Sequence, residues 1–207
     1  MKQASTLVIL GAGGHGKVVA DAALARGAWG RVVATDRNPA RCRGELLPDV
    51  ILLPLDAALA LPDADFHVAI GSAEGRERET ELLAGRALAS ILHPAATVSP
   101  RAVVEAGCFV AAQAVVAPAA VLGRGVIVNH GAVVDHDVQV GAFSHVAPRA
   151  ALGGGVHVGR GVLVAAGANV LPGVRVCDGV TIGAGAVVLA AIEEPGVYAG
   201  VPARRVR

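Results

Sequence analysis

Residues 128–164 read VNHGAVVDHDVQVGAFSHVAPRAALGGGVHVGRGVLV, and this stretch decides the fold. Every sixth residue is aliphatic: Val128, Val134, Val140, Val146, Leu152, Val158 and Val164. Working outward in the same register, the beat runs from Val98 to Val188 over 16 positions, all Val, Leu or Ile, without a break. With aliphatics at about a third of positions, chance does not sustain such a run. Four places after each comes a mostly small or β-branched residue, such as Ala114, Ser144 or Ala168, and glycine often follows the aliphatic directly.

Neither a helix nor an alternating strand has a period of six. A triangular prism does, with one short strand and one corner per hexad and three hexads per coil. Residues 18 apart then stack about 4.8 Å from one another. The aliphatics point inward, the small residues fit near the corners, and glycine supplies turn conformations that bulkier residues resist. Sixteen hexads make about 5.3 coils of parallel β-helix. Spacing alone leaves the hand to the general right-handed preference of parallel crossovers.

Residues 1–90 follow another pattern. A buried strand, Leu7–Leu10, runs into Gly11-Ala12-Gly13-Gly14-His15-Gly16 and then a helical segment from Lys17 to Arg26. A strand at 31–35 ends at Asp36, further β-like stretches lie at 50–53 and 66–70, and a charged helix is expected around 74–88. Alternating strand and helix predicts a small parallel α/β domain of Rossmann type. The glycines fit G-x-G-x-x-G, with Asp36 twenty residues beyond Gly16, a dinucleotide fingerprint. About 90 residues hold one mononucleotide-binding half rather than two. A nucleotide-linked substrate is therefore expected in place of NAD, with Gly13, Gly14, His15 and Gly16 contacting phosphate or sugar and Asp36 the nucleoside. The alternative is that the glycines merely permit a tight strand-to-helix turn.

The pattern changes near Leu92-His93-Pro94, giving expected domains at 1–90 and 91–195, with an extended cap at 196–207. The 207 residues carry 18 Lys plus Arg against 17 Asp plus Glu, and with 2% aromatics this argues against a nucleic-acid partner. Mean hydropathy is high at +0.58, yet Gly, Pro or charged residues interrupt every apolar run before 18 residues, so no membrane insertion is expected. The opening Met1-Lys2 leads into too short an apolar segment for a signal peptide. Cys42, Cys108 and Cys177 lack metal-ligand spacing; no metal is expected, and a reducing cytoplasmic setting is.

GAGGHGKVVAD (11–21), AIGS (69–72), NHGAVVDHDVQVGAFSHVAP (129–148) and GVPAR (200–204) together resemble the bacterial sugar O- and N-acyltransferases of the sialic acid O-acetyltransferase (NeuD) type, in the branch acting on nucleotide-linked amino sugars. The resemblance covers essentially the whole chain. It implies a left-handed β-helix, a homotrimer with active sites between neighbouring helices, acetyl-CoA as co-substrate, and a nucleotide sugar held by the α/β domain.

Acetyl transfer to an amine needs a base and donors for the oxyanion. His136, flanked by Asp135 and Asp137, is the residue best suited to act as base, and in the family pattern it matches the base, with Asp137 as its acidic partner. Asp137 stands where some relatives carry the longer Glu. Gly154 lies 18 residues on, one coil up, where the family places its oxyanion donor. Asn129 and His145 match family positions near the acyl group, Asn129 toward substrate and His145 toward CoA, and Ala184 lies among late-coil loops expected to contact pantetheine. His130 lacks flanking acids and is expected to be structural or peripheral. The expected reaction is N-acetylation of a nucleotide-linked amino sugar. O-acetylation of sialic acid or another sugar hydroxyl would use the same base. A non-catalytic nucleotide-binding assembly would need neither the base nor its acid.

Overall fold

The computed structural model describes residues 6–206; Met1-Lys2 and the last residue of the expected cap lie outside them. The chain divides into two compact units, one ending at Pro94 and the other beginning at Ala95. No helix among the described residues is long and apolar enough to cross a membrane.

In the first unit, β1 (Thr6–Leu10) is buried throughout and lies inside a five-stranded sheet ordered β3-β4-β2-β1-β5. The other strands are β2 (Val32–Thr35), β3 (Glu45–Leu47), β4 (Val50–Leu52) and β5 (Ala64–Val68). All pairs are parallel except β3–β4 at the edge. A central parallel strand is covered on both faces, so it reads as a continuous apolar run. Helix α1 (Gly14–Arg26) follows β1 and ends at Gly27, whose φ of +63° is the left-handed conformation that glycine adopts without strain. Gly16 has a different reason to be glycine: a Cβ there would lie 2.0 Å from the Gly11 carbonyl oxygen.

The short α2 (Leu55–Leu59) and the edge strand β3 carry too few residues to show a period. Helix α3 (Ala73–Leu82) stops well before residue 88, because Leu83 is buried and Gly85 takes a left-handed φ of +82°. The chain then runs along β5, with Phe66 N–H donating to Ala87 and Ala89 N–H to Phe66. His67 on β5 is fully buried. Burial pushes its pKa down to about 4, and its neutral ring hydrogen-bonds through Nδ1 to the Ala89 carbonyl at 2.9 Å.

The second unit is the prism. Sixteen two-residue strands, from Thr97–Val98 to Val187–Val188, each end on a hexad aliphatic. Strands pair in parallel with those 18 residues away, as in Val116↔Val134 and Val128↔Val146. Three faces result. Face A holds six strands, among them Val133–Val134 and Ala151–Leu152; face B holds five, including Gln139–Val140 and His157–Val158; face C holds the five hexad strands that include Ile127–Val128 and His145–Val146. The hexad aliphatics are buried from Val110 onward, and so are the small residues between them. Ser144 is polar there but satisfied: its hydroxyl donates to the Gly159 carbonyl at 2.7 Å and accepts from Val162 N–H at 2.9 Å. After the last hexad, Val197–Ala199 pairs in parallel with Thr181–Ile182, and Arg204–Arg205 turns back against it.

Each corner from residue 107 to residue 185 has its second turn residue in the left-handed region, again at six-residue intervals. Glycine fills most of these positions; Gln113, Ala119, Asp137, Phe143 and Arg149 are the exceptions. The glycines directly after the aliphatics serve another purpose. A Cβ on Gly141 would lie 2.5 Å from the backbone of Gly159, so these positions are bare because adjacent coils touch there.

Candidate active site

His136 and Asp137 form the corner between faces A and B. Their rings and carboxylates are exposed, and His136 Nδ1–H donates to Asp137 Oδ2 at 2.8 Å. The contact between neighbours in sequence depends on the backbone. Asp137 has a φ of +60°, occupying a left-handed position that glycine usually fills in this coil. Aspartate tolerates that conformation better than most residues. Asp135 Oδ1 accepts from His136 N–H at 2.7 Å and fixes the start of the turn.

With Nδ1 carrying the shared proton, Nε2 holds the basic lone pair. The Asp137 hydrogen bond, and after it the charge of Asp135, raise the His136 pKa above the ordinary histidine value. Gly154 stacks one coil above, where a Cβ would stand 2.5 Å from His136 Nε2. Glycine therefore leaves Nε2 open. The Gly154 N–H makes no hydrogen bond among the described residues. A base and an unused backbone donor thus adjoin at one corner, as acyl transfer requires.

Asn129 and His145 form a second cluster. Asn129 Nδ2 donates to His145 Nε2 at 3.1 Å, which leaves the ring proton on Nδ1. Asn129 Oδ1 accepts from the backbone N–H of His130 at 2.8 Å. This pair lies on face C and the C–A corner, where Ala184 also stands three coils above His130. The β-helix residues picked out from the sequence therefore divide between two corners of one prism. His136, Asp137 and Gly154 meet at one; Asn129, His145 and Ala184 belong to the other.

In the α/β unit, Gly13 caps α1 in an extended conformation, without a side-chain cap or an acid in the first turn. Gly13, Gly14, Lys17, Arg41 and Arg43 line a groove of about 470 Å³, and His15 and Gly16 continue α1 beside it. The exposed N–H groups and cations suit an anion. Asp36 takes a more structural part than the fingerprint suggests: Oδ2 accepts from Ala12 N–H and Oδ1 from Asn38 N–H, both at 2.9 Å. It ties the glycine loop to the loop after β2. Arg41 and Arg43 were not apparent from the motif, since nothing in a lone arginine after β2 distinguishes a phosphate contact from a solvated side chain. Among the described residues no group of His, Cys, Asp or Glu is arranged to hold a metal ion, and none of the three cysteines is in a disulfide.

Residues 6–83 match the PglD N-terminal domain family, and residues 155–190 match the bacterial transferase hexapeptide family of six repeats. Among solved structures, the acetyltransferase domain of PglB from Neisseria gonorrhoeae is 39% identical, with 97% of this chain and 99% of that one aligned at a TM-score of 0.92. The chain belongs to the PglD-like family of hexapeptide-repeat sugar acetyltransferases. Membership settles the hand of the prism: it is a left-handed β-helix, as the motif resemblance implied and against the general crossover preference. The PglB domain has also been solved with acetyl coenzyme A. PerB from Caulobacter crescentus, solved with CoA and GDP-perosamine, is 34% identical, with 97% of each chain aligned at a TM-score of 0.87. A GDP-perosamine N-acetyltransferase variant from the same organism, with one histidine replaced by alanine, is likewise 34% identical, with 97% of this chain and 96% of that one aligned at a TM-score of 0.89. No curated protein sequence matches the chain.

Proposed function

We propose that the protein transfers the acetyl group of acetyl-CoA to the amino group of a nucleotide-linked amino sugar. The observation that carries this reading is the corner at His136, where Nδ1 is bonded to Asp137 and Nε2 opens beside the bare backbone of Gly154. The neutral amine attacks the thioester carbonyl while His136 Nε2 takes its proton; Asp137 stabilises the imidazolium. Gly154 N–H donates to the developing oxyanion. On collapse the C–S bond breaks, and the thiolate of CoA recovers the proton from His136. Relatives that bind acetyl-CoA, CoA and GDP-perosamine support the two substrates.

The second cluster argues for assembly. Asn129, His145 and Ala184 occupy a different corner from the base, so one chain carries two partial sites. In a homotrimer, the cluster of one subunit would complete the His136 corner of its neighbour, with His145 and Ala184 toward CoA and Asn129 orienting His145. Residues 1–90, with the cationic groove at Gly13 and Gly14, would hold the nucleotide sugar, residues 91–195 would carry the transfer, and residues 196–207 would close the helix. Three cysteines outside any disulfide suit a cytoplasmic setting.

A thiol-release assay with acetyl-CoA against matched amino and hydroxyl sugars, free and nucleotide-linked, tests the reading. Release with a nucleotide-linked amino sugar, and a product heavier by one acetyl group, is expected. Release only with sialic acid or another hydroxyl sugar would move the activity to O-acetylation. A stable, fully active monomer by light scattering would refute the shared site.

A further inference from the structure

The corner that carries Gly154 is Gly153-Gly154-Gly155, the only run of three glycines in the chain. Each is bare for its own reason. A Cβ on Gly153 would lie 2.8 Å from Pro172, one on Gly154 would lie 2.5 Å from His136 Nε2, and Gly155 has a left-handed φ of +69°. Such a segment has more backbone freedom than any other, so the direction of the Gly154 N–H must be fixed by its surroundings. The hydrogen bonds show how. Gly153 N–H donates to the Val170 carbonyl at 2.9 Å, and the Gly153 carbonyl accepts from Val156 N–H at 3.2 Å. The Gly154 carbonyl accepts from Gly173 N–H, and Gly155 N–H donates to the His136 carbonyl, both at 2.9 Å. The Gly155 carbonyl accepts from His157 Nδ1–H at 3.1 Å. Among the described residues, every backbone polar group of the three glycines is therefore engaged except the Gly154 N–H.

His157 supplies the one side chain in this set. Its ring lines a groove of about 610 Å³ on face B together with Gln139 and Arg175, and His136 lies outside that lining. We propose that His157 is a positioning residue: its bond to the Gly155 carbonyl holds the triple-glycine turn so that the Gly154 N–H points at the developing oxyanion. The inference rests on the acyl transfer proposed above. A donor fixed in advance needs no reorganisation as charge develops. An imidazolium donates from Nδ1 as a neutral ring does here, so the bond holds whatever the charge of His157. Another corner of the prism shows which side chain could replace it. Asn169 Nδ2 donates at 3.0 Å to the Gly167 carbonyl, the same two-residue step back onto a left-handed glycine.

The test compares His157→Ala and His157→Asn with the parent in the full chain. His157→Ala should lower kcat about tenfold while KM for acetyl-CoA stays within a few-fold of the parent. The rising limb of kcat/KM should stay at the parental pH, because His136 and its acids are untouched. His157→Asn should recover most of the lost kcat. Hydrogen exchange across residues 153–156, followed by mass spectrometry without substrate, should quicken about twofold to tenfold in His157→Ala and slow again in His157→Asn. Unchanged exchange or unchanged kcat in His157→Ala would overturn the proposal. So would a loss that lies in KM, a limb that moves, or an asparagine variant as poor as the alanine one. Should His157→Ala not fold, His157→Leu, closer in volume, takes its place with the same expected results. His136→Ala separates the two readings. If it loses turnover while His157→Ala does not, the positioning role alone fails; if it keeps parental turnover, the active-site corner is misassigned and the proposal falls with it.

Discussion

The two units place functional groups by opposite means. In the β-helix the backbone repeats, so chemistry appears as a departure from the repeat. At the corners the second turn residue is left-handed, and Asp137 occupies a position that glycine usually fills. That substitution aims a carboxylate at His136 Nδ1. In the α/β unit nothing repeats, and the groove at Gly13 is gathered from the loop after β1, the first turn of α1, the loop after β2 and the edge strands. A regular scaffold advertises its exceptions, whereas an irregular one conceals its site among ordinary loop residues.

Glycines sharpen this contrast, because they are required for three different reasons. Gly16→Ala should have the largest effect. Its Cβ would meet the Gly11 carbonyl at 2.0 Å, a backbone clash with no flexible side chain to yield. A loss above about 3 kcal/mol is expected in denaturant unfolding; a loss under 1 kcal/mol would mean that the turn can open. Gly154→Ala comes next. Its Cβ would displace His136 from its position, at 2.5 Å from Nε2. Turnover should fall about a hundredfold with little change in stability, and unchanged turnover would remove Nε2 from the reaction.

Asp137→Asn keeps a side chain tolerant of the left-handed corner while removing the charge. Turnover should fall about tenfold. The sign of the pH effect follows from the cause. Asp137 and Asp135 raise the His136 pKa, so in the parent protein the base becomes available as pH rises through that elevated value. In the variant the rising limb of kcat/KM should move to lower pH, and a limb that stays in place would assign it to another group. The smallest effect belongs to Gly167→Ala, where φ is +68° and no atom lies within 4 Å of a new Cβ. Only conformational strain remains, about 1 kcal/mol by chemical denaturation. A much larger loss would show that this corner is packed.

The fold of the β-helix was legible because sixteen aliphatic positions share one register and each becomes a strand end. Its hand was not, since a six-residue period is the same in either sense; the motifs and the relatives supplied it. His136 and Asp137 stood out as a histidine flanked by acids at a corner, and Gly154 as the residue one coil above. The division of the candidates between two corners followed from the prism once its register was set, for His145 lies nine residues from His136 and cannot stack on it. Asp36 was visible as a fingerprint acid, but its two bonds to the Ala12 and Asn38 backbone depend on how the loop closes.

The most direct test of the central claim is acetyl transfer by His136→Ala, with acetyl-CoA binding measured on the same protein. Turnover should fall by about two to four orders of magnitude while the dissociation constant for acetyl-CoA stays within a few-fold of the parent value. Turnover close to that of the parent would contradict the role of His136 as the base and, with it, the assignment of this corner as the active site.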